Sequence, residues 1–240
     1  MKMPRVDAST TLWVRVVLYL IARLARNKTT RHLMPVIQPA LESLDAAAAG
    51  MERADRALIG ARAGHDGADD ELDEVVNGFE GELYLSVGKN RKADVYKKCF
   101  ADGLVAVTGA RIPDEVRLVK TLEGTIAREL KDEEFAKRLL PQMTTAREEM
   151  ERQLPLLRKA QDDTAAAWSI ELAARHDIRR QYRIVFAELV RLFPDNMKRV
   201  NSFFRDPGGA RRGGDAEEGE GAEETPPVAP GSAGTEPGPR

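Results

Sequence analysis

Apolar residues recur at alternating steps of four and three along two long stretches of the chain. The first stripe is Leu33, Ile37, Ala40, Leu44, Ala47, Met51, Ala54, Leu58 and Ala61. The second is Leu139, Met143, Ala146, Met150, Gln153, Leu157, Ala160, Thr164 and Ala167, with Gln153 and Thr164 as its two polar positions. This spacing keeps side chains on one seam of an α-helix. Each position of the second stripe is its counterpart in the first plus 106.

The same offset relates a second pair of faces, Leu72, Val76, Phe79 and Leu83 with Ile178, Tyr182, Val185 and Leu189. Pro35 matches Pro141, and Asn90 and Lys92 match Asn196 and Lys198. Identities between the two stretches are sparse, so the order of elements carries the comparison. The expected fold is all-α: an antiparallel helical bundle built from two pseudo-repeated helical modules, with a disordered C-terminal tail. The expected organisation is a first module over 1–101, a linker over 102–112, a second module over 113–205 packed with the first, and a tail over 206–240.

Breakers set the expected helix limits. Gly60, Gly64 and Gly67, with His65 and Asp66, predict the end of the first long helix, and Asp69 or Asp70 the start of the next. Pro35 marks a helix start or a kink, and Gly88 an end. A short helix is expected from Lys92 to about Ala101. Leu104–Thr108 reads as linker or helix end. Pro113, Asp114 and Glu115 open a helix to about Leu130, and Asp132–Leu140 a short one before Pro141. A bend is expected at Pro155. The stretch 156–193 fits either one continuous helix or a hairpin. A last short helix carries Val200, Phe203 and Phe204.

Leu12–Arg26 is the most hydrophobic segment, with Ser9 or Thr10 as its N-cap. It is short for a transmembrane span and contains Arg15; it also lacks the layout of a signal peptide. An amphipathic helix remains, either lying on a membrane surface or burying its apolar face in the bundle. The partial match to Val119, Leu122 and Ile126 favours burial.

Composition agrees with helices: aromatic residues are 5% and charged residues 32% of 240. The net charge of −2 hides an acidic tail, in which 206–240 holds eight acids and three bases. That tail is rich in Gly, Pro, Ala and Glu, with Val228 its only large aliphatic, too little apolar surface to offset the entropy of ordering. The remaining body is close to neutral and gives no electrostatic reason to expect nucleic acid. A single cysteine, Cys99, fits a reducing, cytoplasmic setting.

Site chemistry is sparse. His32, His65 and His176 have no second ligand at metal spacing. His65, Asp66, Asp69, Asp70 and Glu71 are dense but lack a calcium-loop pattern, and read as a polar turn before a helix. Cys99 reads as a packed thiol. The basic groups Lys89, Arg91, Lys92, Lys97 and Lys98, and Arg179, Arg180 and Arg183, read as solvated faces, with Tyr96 and Tyr182 on the apolar stripes. No catalytic residue, cofactor-binding residue or metal ligand is assigned, and no cofactor is expected. The expectation is a structural or interaction protein, a scaffold or adaptor without catalytic activity, that binds a protein partner and is a candidate homo-oligomer. The alternatives are a peripheral membrane-surface protein using residues 12–26 and an all-helical ligand carrier.

Overall fold

The computed structural model describes residues 3–110 and 112–204. Among these, 81% are helical and none lies in a strand. The tail expected to be disordered, 206–240, lies outside the described residues.

Among the described residues seven α-helices follow in order: α1 (Thr10–Ala25), α2 (Met34–Ser86), α3 (Asp94–Cys99), α4 (Val105–Thr108), α5 (Ile112–Glu129), α6 (Glu134–Leu192) and α7 (Met197–Asn201). A short 3-10 turn, Arg31–Leu33, leads into α2. Local chemistry sets several of the limits. The Ser9 side chain accepts the Leu12 amide at the start of α1. Beyond its C-terminus, the buried Thr30 hydroxyl donates to the Leu24 carbonyl at 3.1 Å. Gly88 and Lys89, both with φ near +60°, turn the chain out of α2, the region in which glycine is least strained.

Two helices dominate. α2 has 53 residues and α6 has 59, so each runs for about 80 Å or more at roughly 1.5 Å per residue. They lie side by side in opposite directions. Glu82 pairs with Arg138 at 2.8 Å, a Cβ on Gly64 would meet Gln153, and Thr164 donates to the Ala54 carbonyl at 3.3 Å.

The long helices correct the expected breaks. α2 passes through Gly60, Gly64 and Gly67 without ending, so His65–Glu71 is helix interior and not a polar turn. Each glycine costs about 1 kcal/mol relative to alanine in a helix. The seam against α6 outweighs that cost, with His65 buried among the glycines and Ala68 and Leu72 buried beyond them. α6 likewise runs through Pro141 and Pro155, which absorbs the short helix expected over Asp132–Leu140. It also resolves 156–193 as one helix. Leu104–Thr108, expected as linker or helix end, includes the four-residue α4, which buries Val107.

Two hydrophobic cores form, one at each end of the α2–α6 pair. The first packs Trp13, Val17, Leu20 and Leu24 of α1 against Ile37 and Leu44 of α2, Tyr182 and Val185 of α6, and Val200 of α7. Trp13 meets the Tyr182 ring edge-on at 6.2 Å. The second packs Leu72, Phe79 and Leu83 of α2 against Tyr96 and Cys99 of α3, Val119, Leu122 and Ile126 of α5, and Met143 and Met150 of α6. A buried side chain of this size contributes about 1.5–3 kcal/mol, so the fold is held mainly at its ends. Between the cores, over 48–67 and 151–173, the two helices form a waist whose seam is mostly half-buried.

Candidate functional site

Polar side chains enter the interior where the short helices begin. At the start of α1, Arg175 of α6 donates to Glu171 at 2.8 Å and to the Thr10 hydroxyl at 3.0 Å, and Thr10 donates to Glu171. Glu171 is buried yet matched by a cation one helical turn away, so this junction is neutral.

The junction at the start of α5 is built from acids alone. Glu115 is 2% exposed and faces Asp69 and Asp73 of α2. The Oε1 of Glu115 and the Oδ1 atoms of Asp69 and Asp73 have no donor when all three are ionised. A proton on Glu115, donated to Asp73, relieves the conflict. Burial, then the charges of Asp69 and Asp73, push the Glu115 carboxyl up to about 8. Asp73 is also raised, first by burial and then by Asp69, while the hydrogen bond from Glu115 acts in the opposite direction. His65 lies one turn before Asp69; it is buried, with Nδ1 3.1 Å from Asp66 and Nε2 unpartnered.

Two further buried charges are satisfied. Arg147 of α6, 6% exposed, donates to Glu123 of α5 at 2.9 Å and pairs with Glu151 at 2.8 Å. Glu80 of α2 accepts from the Tyr96 hydroxyl and from Arg91, tying α3 and its preceding loop to α2. The Cys99 thiol is buried and pushed up to about 11, first by burial and then by Glu129. It is a packed thiol with little nucleophilic character.

The structure draws the acids of the His65–Glu71 cluster into two groups. Asp69 turns toward α5, while Asp70 and Glu71 face solvent. His32 and His176 are exposed, unlike His65. Among the described residues no group of three or more His, Cys, Asp or Glu side chains is arranged to hold a metal. Tyr96 and Tyr182 are buried, so neither basic group carries an exposed aromatic row. Arg91 pairs with Glu80 and lies over the Tyr84 ring, and Lys98 pairs with Glu129 at 2.6 Å. The apolar face of Leu12–Arg26 is occupied in the first core: Trp13, Val17, Leu20 and Leu24 are fully buried. Among the described residues no helix is long and apolar enough to cross a membrane.

The sequence marks Glu115 only as a first-turn acid, and Arg147 not at all. A signal for Glu115 lies in its spacing, four residues before Val119 on the stripe that continues to Leu122 and Ile126. No family model, curated protein or solved structure matches the chain.

Proposed function

We propose that the chain is a non-catalytic helical scaffold of the cytoplasm, an antiparallel bundle of two related modules that presents two separate binding lobes. The observation that carries this reading is the spacing of two packed cores along one helical pair about 80 Å long, at roughly 1.5 Å per residue. A catalytic protein needs convergent reactive groups in a cleft. Here the buried polar groups tie helices together at the junctions.

The duplication is supported by the register of burial. Ile37, Ala40, Leu44, Ala68, Leu72, Phe79 and Leu83 are buried, and so are Met143, Ala146, Met150, Ala174, Ile178, Val185 and Leu189, each 106 positions on. The offset also relates Trp13, Leu20 and Leu24 of α1 to Val119, Ile126 and Leu130, at the start of either module. Each core would then combine the opening helices of one module with the closing helices of the other, related by a pseudo-twofold through the waist.

The test is affinity capture of tagged full-length protein from its own host, read by mass spectrometry. A protein partner recovered at stoichiometric level supports the scaffold reading. Recovery of the protein alone, or with lipid only, counts against it.

A further inference from the structure

Charge is segregated between the two ends of the molecule. The residues that build the first core, 3–47 and 174–204, include thirteen Lys and Arg against six Asp and Glu. Those of the second core, 68–150, include thirteen against eighteen. The contrast is sharpest at matched positions. Asp69, Asp73 and Glu74 on α2 stand 106 residues before Arg175, Arg179 and Arg180 on α6. Within one molecule these blocks lie at opposite ends of the α2–α6 pair and never meet.

The waist adds an apolar contact surface. On α6, Leu156 and Ile170 are 49% and 61% exposed. Leu156 and Ile170 are two heptads apart on one flank of α6, which places them on the same side. The α2 face nearby carries Gly50 and Ala57, small residues that permit close approach.

We propose that two copies of this chain associate side by side in opposite directions, waist against waist, with the acidic end of each copy against the basic end of the other. The register of α2 on α6, set by Ala54 beside Thr164 and Gly64 beside Gln153, fixes the levels. Residue i of α2 and residue i+106 of α6 lie at nearly equal distances either side of the waist centre. A reversed second copy therefore brings the exposed Glu74 level with the exposed Arg180 twice, once at each end, while Asp69, Asp73 and Arg175 stay engaged with Glu115, Glu171 and Thr10 of their own molecule. The same reversal sets Leu156 of one copy level with Ile170 of the other. A parallel pair would stack like-charged ends and is disfavoured by the same charges. The arrangement is isologous and closed, so it ends at two copies.

The experiment is sedimentation velocity on the full chain across a concentration series, at low and at high sodium chloride. The expected result is a species of twice the 26.5 kDa chain mass at low salt, whose dissociation constant rises at least tenfold in high salt. R180E should weaken the dimer at least tenfold. Adding E74K to R180E should restore it, an outcome that a folding defect would not produce. Ile170→Glu should weaken it at both salt concentrations while the circular dichroism of the chain is unchanged. A monomer at every concentration in low salt overturns the proposal. So does an association that ignores both salt and charge reversal, or one that grows beyond two copies.

Discussion

Glu115 on α5 is buried against Asp73 on α2, two carboxyl groups that a single proton on Glu115 reconciles across the contact between the two helices. The pair makes stability depend on pH in a stated direction. Glu115 is raised to about 8 in the folded chain from an ordinary value of 4.5. Between those limits the folded state holds a proton that the unfolded chain releases. Stability is therefore full below about pH 4.5 for this group and falls as pH rises toward 8. Glu115→Gln keeps the hydrogen-bond donor and removes the titration. It should raise stability by roughly 1–3 kcal/mol at pH 8 and change it little at pH 5, at about 1.4 kcal/mol per pKa unit. Urea denaturation of the two chains at both pH values measures the difference.

Glycines inside α2 give a second expectation. A Cβ on Gly60 or on Gly67 would meet nothing within 4 Å. Gly60→Ala and Gly67→Ala should each stabilise the chain by about 0.5–1 kcal/mol through helix propensity. On Gly64 the Cβ would meet Gln153 Oε1 at 3.0 Å, so Gly64→Ala should gain less than either. Thermal unfolding of the three single variants ranks them.

Arg147 tests the value of a buried ion pair. Arg147→Ala leaves Glu123, itself only 12% exposed at the side chain, without its cation. The expected loss is about 3–5 kcal/mol, the range for breaking a buried pair. On the duplication proposed above, position 41 of α2 is its counterpart and carries a buried leucine, which favours a hydrocarbon there. Arg147→Met combined with Glu123→Gln should therefore recover more than half of the loss. Equilibrium denaturation of the single and double variants provides the comparison.

Cys99 offers a reporter. With its thiol pushed up to about 11, about one molecule in a thousand carries the thiolate at pH 8. Disulfide-exchange labelling at pH 8 should be at least about 100-fold slower in the native chain than in denaturant. A native rate close to the denatured one would remove Cys99 from the second core.

The helical class and the core faces were legible because apolar spacing is set by the helix period alone. Leu72, Val76, Phe79 and Leu83 are buried, as their steps of four and three require. Helix limits were less legible, since Gly64 and Pro155 carry a local cost that pairing over a long seam outweighs. The acidic junction was hidden for a different reason. Asp69 and Glu115 are 46 positions apart, and each alone looks like an ordinary first-turn acid. Their meeting depends on how α5 lies against α2, which no short window contains.

The two cores also differ in how the chain must reach them. The second is drawn from one unbroken stretch, 68–150, whereas the first joins Trp13 and Leu20 to Tyr182 and Val200 from the far side of the sequence. Closing the first core brings together segments about 170 residues apart, a slow step by comparison with local assembly. During synthesis the second core can close first, while α1, the most hydrophobic helix, waits for α6 and α7 to emerge. Pulse-labelled amide exchange during refolding should therefore protect Leu122 and Ile126 before Val17 and Leu20. In that interval the apolar face of α1 is the part of the nascent chain most in need of a chaperone.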